Sequence, residues 1–341
     1  MLKKILMVAG LVGSLAASNA FADGHATLKQ VQEKGHLQCG VSQGLFGFSN
    51  PDDAGNWTGL DVDFCRAMAA AIFNDPQAVK FTPLSSKQRF TALSSGEIDV
   101  LARNTTWTMT RDASLGLNFS VVNYYDGQGM MVPKSLGVTS GTELDGANVC
   151  TQTGTTTELN ITDYFRMNNM SINVVAYEDA ADVIAAYGEG RCDVYTTDKS
   201  GVAAQRLRLS NPDDHMLLPE VISKEPLGPV VRQGDDNWLN IVKWTHFAML
   251  NAEEMGITQD NVGSKRATVT IPAVKRLLGT EGTFGEYLGL SNDWAYNIIS
   301  QVGNYGESYE RNVGPNTPLK LSRGVNNLWT NGGLQYGPPV R

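Results

Sequence analysis

The stretches SGEIDVLARNT (residues 95–105) and EGRCDVYTTDK (residues 189–199) have the same layout in two separate parts of the chain. Each begins at the glycine-containing end of a predicted helix, continues as an apolar strand and ends in small polar residues. This layout is typical of a helix followed by a strand of a parallel sheet. Its recurrence predicts two α/β lobes in series, although the two stretches are not a sequence repeat.

Hydrophobic periodicity extends this pattern in both directions. In the first half it predicts strands at 36–43, 79–84 and 97–103 and helices at 60–73 and 87–96. In the second half it predicts strands at 147–152, 172–177 and 192–198 and helices at 157–168 and 181–190. A long helix is predicted over 238–256, and the aromatic-rich residues that follow are expected to be a packed extension. We therefore expect an α/β fold in which each lobe has a mainly parallel sheet flanked by helices.

Composition narrows the class of partner. The 341 residues are 42% hydrophobic and 18% charged, with a formal net charge of −8. An acidic chain without a basic cluster is not expected to bind nucleic acid or anionic lipid. The four histidines are scattered without metal-ligand spacing, and no phosphate-cradling loop occurs, so no metal and no cofactor is expected.

The first 22 residues predict an exported protein. A positively charged start, MLKK, is followed by a short apolar run and by Ala20-Phe21-Ala22, which is typical of a signal peptide cleaved after Ala22. A membrane anchor is disfavoured because the apolar run is too short to span a bilayer. The expected location is the periplasm.

Export makes disulfide bonds the expected state of the four cysteines. Four cysteines permit three pairings, and the sequence lacks any C-x-x-C pair of the kind found in zinc sites. The two-lobe organisation favours Cys39–Cys65 and Cys150–Cys192, one bridge in each lobe.

Polar residues lie at the carboxyl ends of three of the predicted strands. The clusters are Asn104–Thr106 with Arg111, Gln152–Thr156, and Thr197–Asp198. Ligands of open α/β sheets bind beyond the carboxyl ends of the strands, so the three clusters are expected to meet in a cleft between the lobes.

The chemistry of these clusters matches an α-amino acid zwitterion. Arg111 offers a fork of donors for a carboxylate, and the N–H groups at Thr155 and Thr156 open a helix whose positive end favours an anion. Asp198 is suited to an ammonium group. Simpler interpretations remain for each: Arg111 and Asp112 as a surface pair, and the other residues as helix caps.

The chain resembles the substrate-binding proteins of ABC transporters for polar amino acids, in particular the general L-amino-acid branch. The resemblance rests on GLDVDFCRAMAAAIF, SSGEIDVLARNTTWTMTRD, YYDGQGMMV, QTGTTTELNITDYFR, GRCDVYTTDKSG, SKEPLGPVVRQGD and WAYNIISQVGNYGESYERN. It implies a monomeric receptor with a double hinge near 128–132 and 227–231, whose closed form is read by membrane permease subunits. The implied lobes are 23–130 plus 228–341, and 131–227.

The resemblance also implies roles for individual residues. The carboxylate-binding arginine falls on Arg111 and a threonine donor on Thr106. The helix N-terminus of the second lobe falls on Thr155 and Thr156, and the ammonium-binding carboxylate falls on Asp198.

Several positions depart from the pattern of this family. Ser42 stands where many relatives have an acidic residue, and Leu45 and Ser86 stand at the aromatic clamp positions. A site that fixes the zwitterion but contacts the side chain loosely predicts broad specificity. Trp107 has two open roles, either as a floor of the ligand pocket or as packing beneath the loop that carries Arg111.

Two other classes of protein could share this scaffold. One is an enzyme on the same scaffold, such as a cyclohexadienyl-dehydratase-like protein, which needs a general acid in the cleft. The three polar clusters contain no unassigned Glu or His, and no G-x-S-x-G elbow occurs, so we expect no catalysis. The other is a ligand-binding sensory module, whose ligand chemistry would be the same.

Overall fold

The computed structural model describes residues 25–341, so the predicted signal peptide and its cleavage site lie outside the described residues. The helices are α1 (Ala26–Lys34), α2 (Leu60–Phe73), α3 (Arg89–Ser95), α4 (Met109–Ser114), α5 (Thr156–Met167), α6 (Ala180–Gly188), α7 (Lys199–Arg206), α8 (Asp236–Glu254), α9 (Val262–Thr268), α10 (Pro272–Leu277), α11 (Trp294–Gln301) and α12 (Tyr305–Asn312). The strands are β1 (Leu37–Val41), β2 (Asn50–Pro51), β3 (Trp57–Thr58), β4 (Val79–Pro83), β5 (Val100–Leu101), β6 (Leu117–Phe119), β7 (Tyr124–Asp126), β8 (Gln128–Pro133), β9 (Asn148–Gln152), β10 (Asn173–Tyr177), β11 (Val194–Asp198), β12 (His215–Leu217), β13 (Glu225–Leu227) and β14 (Val230–Arg232).

Helix α2 illustrates how the sequence forms these elements. Its run of alanines and unbranched apolar residues favours a helix, and Asp61 and Asp63 in the first turn complement the positive end of the helix dipole. The helix ends at Asn74, whose left-handed φ of 56° is tolerated by this side chain better than by most. The structure thus confirms the predicted helix over 60–73 and places both aspartates at its start.

Two five-stranded sheets define two lobes with the same strand layout. The first has the order β4-β1-β5-β14-β6 and the second the order β10-β9-β11-β8-β12. In each sheet the first three strands are parallel, and the fourth strand runs antiparallel to both of its neighbours. The fold is therefore the predicted α/β architecture of two mainly parallel sheets.

The chain crosses between the lobes on a two-stranded antiparallel ribbon made of β7 and β13. The fourth strand of each sheet, β8 or β14, comes directly after a crossing. Two glycines permit the close packing at these junctions, because a Cβ on Gly127 would lie 2.3 Å from Val221 and one on Gly228 would lie 1.9 Å from the carbonyl oxygen of Val121. The ribbon lies a few residues before the predicted hinge segments.

The C-terminal residues 235–341 pack on the first lobe. Helices α8, α11 and α12 contact α2, and their apolar side chains join the core beneath the first sheet. Ile298, Ile299 and Tyr309 are fully buried there. The second lobe has its own smaller apolar clusters around β8, β9 and β11.

Both disulfides have the predicted pairing. Cys39 of β1 is bonded to Cys65 of α2, and Cys150 of β9 is bonded to Cys192. Each bond therefore ties a central strand to a neighbouring segment of its own lobe.

Candidate ligand-binding cleft

Two adjoining cavities lie where the carboxyl ends of β5, β9 and β11 face each other. Both are lined by Arg103, Asn104, Gln152 and Thr197. The structure thus brings the three polar clusters of the sequence to one place, as the position of ligand sites in open α/β sheets predicts.

The lobes touch across this cleft. Gln43 of the first lobe donates to Asp179 of the second at 2.9 Å, and Arg208 of the second donates to the carbonyl of Gly44 of the first at 2.7 Å. The hydroxyl of Ser86 donates to Gln152 Oε1 at 3.0 Å. The structure is therefore a closed conformation, in which groups from both lobes surround the cavities.

The start of α5 supplies the donors of the second lobe. Thr155 is the N-cap, and its hydroxyl accepts from the backbone N–H of Glu158 at 3.3 Å. Thr156 is the first helical residue, and its Oγ1 lies 3.4 Å from Oγ1 of Thr106 in the first lobe. Because the N–H groups of a first turn have no intrahelical partner, this helix end can receive an anion beside both threonines.

Arg111 lies behind Thr106. Its Nη1 donates to the carbonyl oxygen of Thr106 at 2.9 Å, and its guanidinium lies 5.3 Å from the centre of the Phe90 ring. Arg111 is buried but is not among the side chains that line the two cavities. In this conformation Arg111 holds the backbone of Thr106 in place and adds positive charge behind the polar cluster Asn104–Thr106.

Two further buried arginines line the cavities and were not selected from the sequence. Arg103 donates from Nε to the carbonyl of Leu84, whereas Nε of Arg89 has no hydrogen-bond partner within residues 25–341. Burial lowers the pKa of Arg103 to about 10. Burial, followed by the charges of Arg103 and Arg111, lowers the pKa of Arg89 well below its ordinary value.

A signal for Arg89 was present in the sequence. It is the first residue of α3, where the positive end of the helix dipole disfavours a cation. An arginine in the first turn of a helix that follows a strand is therefore a candidate for binding an anion.

Asp198 is the buried carboxylate of the cavity. It ends β11, is 6% exposed, and within residues 25–341 its one side-chain hydrogen bond comes from Asn104 Nδ2 at 3.4 Å. Burial, followed by the charges of Asp126 and Glu225, raises its pKa well above the ordinary value. Asn104 has a positive φ of 33°, and its Oδ1 is buried without a partner among the described residues. Both side chains are thus arranged to gain from a ligand that donates hydrogen bonds.

Glu225 is an acidic residue that lies outside the three polar clusters of the sequence. It lies on the crossing strand β13, is 1% exposed, and accepts from Thr106 and Thr156, both of which line the cavity. No local pattern links it to those threonines, since the bridge between Thr106 and Leu227 of β13 brings it there.

Ser42 and Trp107 have different positions. Ser42 lines one of the two cavities together with Leu45. Trp107 lines neither, and its ring stacks on Phe119 with the ring centres 5.4 Å apart. In this structure Trp107 therefore supports the loop from below.

The sequence and fold match known proteins over most of the chain. The family model of bacterial extracellular solute-binding proteins, family 3, matches residues 37–261. The general L-amino acid-binding periplasmic protein AapJ of Rhizobium johnstonii is 57% identical over 100% of both chains. This chain belongs to the bacterial extracellular solute-binding proteins of family 3.

Two further relatives are similarly close. The glutamate/glutamine/aspartate/asparagine-binding protein BztA of Rhodobacter capsulatus is 52% identical, covering 96% of this chain and 97% of the relative. A periplasmic binding protein of an ABC transporter from Brucella ovis, solved with glutathione bound, is 58% identical with a TM-score of 0.91 over 92% of this chain and 99% of that one. Within residues 25–341, no helix is both long and apolar enough to cross a membrane.

Proposed function

We propose that this protein is a periplasmic receptor that binds free L-amino acids between its lobes and delivers them to the permease subunits of an ABC importer. One observation carries the proposal: in one closed cavity the buried Asp198 faces the threonine-rich start of α5. An α-amino acid supplies an ammonium and a carboxylate on the same carbon, so a single small ligand satisfies both groups. The names of the relatives are consistent with such a ligand.

The proposed roles follow the chemistry of each group. Thr106, Thr155 and the first turn of α5 hold the carboxylate, with Arg111 supplying positive charge behind them. Asp198 holds the ammonium group. The residues proposed to face the rest of the ligand are Ser42, Asn104 and Gln152. Trp107 supports the loop.

Arg89 sharpens the proposed specificity. Its buried guanidinium faces the cavity with Nε unpaired, so a ligand side chain that ends in a carboxylate or an amide oxygen gains a hydrogen bond there. Leu45 and Ser86, at the positions of an aromatic clamp, leave the side chain loosely contacted. We therefore expect acceptance of many amino acids with a preference for acidic and amide side chains.

The proposed role in transport depends on closure of the two lobes around the ligand. Residues 23–130 plus 228–341 and residues 131–227 form the two proposed lobes, and they rotate about the ribbon of β7 and β13. A ligand that bridges both lobes favours the closed form, because only that form makes both sets of contacts. The mature protein is proposed to act as a monomer after removal of the first 22 residues.

We propose no catalysis. Glu225, a further carboxylate at the cleft, already accepts four hydrogen bonds and has no free position from which to act on a substrate. Incubation with each amino acid should return it unchanged by mass spectrometry; a dehydrated or deaminated product would favour the enzyme.

A thermal-shift screen of the mature protein against the twenty L-amino acids tests the proposal, since a ligand that binds only the folded state raises the melting temperature. We expect shifts with several amino acids, the largest with acidic or amide side chains. A flat screen would contradict the receptor role. Stimulation of the reconstituted permease–ATPase complex by the loaded protein distinguishes import from a purely sensory role.

A further inference from the structure

Gln205 carries a buried amide whose oxygen lacks a hydrogen-bond partner among residues 25–341. It lies near the end of α7, is 2% exposed, and lines the cleft cavity that Ser42 and Leu45 also line, called here the Ser42 cavity. A buried amide oxygen is costly to leave without a donor. This group is therefore arranged to gain from a ligand that donates a hydrogen bond.

Gln205 lies on the same face of α7 as the proposed ammonium site. Asp198 is the N-cap of α7, and Gly201 and Gln205 follow it by three and seven residues, a spacing that places side chains on one face of a helix. Asp198 lines the adjoining cavity, whereas Gly201 and Gln205 line the Ser42 cavity. Seven residues of helix span about 10 Å. A ligand whose ammonium group is held at Asp198 therefore reaches Gln205 only through its side chain.

The charges around the Ser42 cavity narrow the kind of side chain that fits. Among the described residues that line it, Arg103 is the one cation and no carboxylate is present. Arg103 is 4% exposed and lines both cavities. Its positive charge disfavours a cationic side chain, whereas its N–H groups suit a carbonyl oxygen. A carboxamide matches this pair of groups, because its nitrogen donates to Gln205 and its oxygen accepts from arginine.

We infer that Gln205 is a specificity-determining residue, which accepts a hydrogen bond from the side-chain amide of a bound L-glutamine. The inference rests on the proposed function, and it leaves the ligand carboxylate at the start of α5 and the ammonium group at Asp198. The ionised side chain of L-glutamate offers no hydrogen to Gln205, because a carboxylate only accepts. Gln205 thus favours an amide, whereas Arg89 in the adjoining cavity favours an acceptor.

Titration calorimetry with L-glutamine and L-5-oxonorleucine tests this role. The second ligand has a methyl group in place of the amide nitrogen, so it keeps the shape and the carbonyl oxygen but has no side-chain N–H. The unmodified protein should bind L-glutamine about fivefold to tenfold more tightly than L-5-oxonorleucine. Gln205→Met keeps the length of the side chain but removes the amide, so it should reduce this preference below about twofold and leave the affinity for L-leucine unchanged.

The outcomes separate the two levels of the argument. Failure of the unmodified protein to bind both L-glutamine and L-leucine would count against the proposed function itself. If the unmodified protein binds both amino acids, then no preference over L-5-oxonorleucine, or the same preference in Gln205→Met, would overturn only the role of Gln205.

Two further variants guard against a purely structural effect. Gln205→Glu keeps an acceptor at this position and should retain the preference for L-glutamine over L-5-oxonorleucine. Gln30→Met is the matched control, because Gln30 is exposed on α1 and lines neither cleft cavity, and it should also retain the preference. Melting curves check the fold of each variant. A lower melting temperature of Gln205→Met together with an equal loss for all three ligands would mean that Gln205 supports the fold, and would contradict the inference.

Discussion

The two lobes have the same strand layout but contribute different charged groups to the cleft. The first lobe brings three buried arginines, Arg89, Arg103 and Arg111. The second brings Asp198 and the start of α5. The shared strand layout therefore determines where the polar residues of the two lobes lie. The identity of those residues determines which charges the cleft contains. A ligand that carries both charges is best held when both lobes contribute.

The lobes also differ in how they are supported. The C-terminal residues 235–341 enlarge only the core of the first lobe and bond to the backbone that leads into the crossing ribbon. Tyr305 donates to the carbonyl of Asn123 at 2.8 Å, and Asn326 bonds both the N–H and the carbonyl of Tyr125 at 2.7 and 2.9 Å. The first lobe is thus the larger of the two and the one that the C-terminal residues support.

The largest effect is expected from removing positive charge from the first lobe. Arg111→Ala should weaken amino-acid binding by about 2–5 kcal/mol, because it removes the positive charge behind the proposed carboxylate site and the hydrogen bond that holds the backbone of Thr106. Titration calorimetry measures the loss. Arg166→Ala is the control, since Arg166 forms an exposed pair with Asp163 on the outer surface of the second lobe. Unchanged affinity in Arg111→Ala would contradict its assignment.

The matching change in the second lobe is Asp198→Asn. It should weaken amino acids by about 2–3 kcal/mol, because a hydrogen bond to a charged acceptor is lost, and should weaken their deaminated analogues much less. The same calorimetric comparison measures both. Equal losses for the two kinds of ligand would argue against an ammonium-binding role.

The unpaired arginine of the first lobe gives a more selective prediction. Arg89→Gln should cost L-glutamate about 1.5 kcal/mol of binding free energy, because a charge-assisted hydrogen bond becomes a neutral one. L-Leucine, which offers nothing to this group, serves as the matched ligand and should lose little. A similar loss for both amino acids would mean that Arg89 supports the fold rather than specificity.

Lowering the pH should weaken amino-acid binding while it stabilises the free protein. Because its pKa is raised, Asp198 becomes protonated at a higher pH than an ordinary carboxyl group. As the pH is lowered, amino-acid affinity should therefore begin to fall before the pH reaches 3.8, the ordinary pKa of an aspartate. Burial raises the pKa of Asp126 to about 6. A carboxyl group with a raised pKa destabilises the fold when ionised, so its contribution to the stability of the free protein improves as the pH falls through 6. Calorimetric titrations and melting curves between pH 7 and 5 should therefore move in opposite directions, and affinity independent of pH would contradict the role of Asp198.

The smallest effect concerns the support of the first lobe. Asn326→Ala removes two hydrogen bonds to Tyr125 and should lower the free energy of unfolding by about 1 kcal/mol. Chemical denaturation measures this change. Asn331→Ala, on the exposed surface of the same extension, is the control. Equal stability of the two variants would show that the extension does not depend on this contact.

The local structure could be predicted closely from the sequence. Helix α2 and the alternation of strands and helices follow from apolar spacing and from glycine or asparagine at the helix ends, which depend only on neighbouring residues. Strand β5 was predicted over 97–103 but spans only Val100–Leu101, because hydrogen bonding to β1 and β14 limits its length. Pairing between strands depends on distant segments, so apolar runs alone do not fix strand ends.

The site was predictable where its residues follow strands, and not where distant segments meet. Asp198 and Thr155 could be selected because they follow β-strands in units that recur along the chain. Arg89 had only the indirect signal of a cation at a helix start. Glu225 had none, since its contact with Thr106 joins residues 119 positions apart.

The sequence by itself determined the α/β class, the two-lobe organisation and the family, because these depend on periodicity, residue type and motifs that are read locally. It favoured the disulfide pairing that the structure has, without excluding the other two. The tertiary structure alone decided which charges are buried and what each polar group contacts. It left Asp198 and Arg89 without strong partners while surrounding Glu225 with four donors. The physical reason is that burial and hydrogen-bond direction are set by every segment that packs around a group, and those segments come from both lobes and from the ribbon between them.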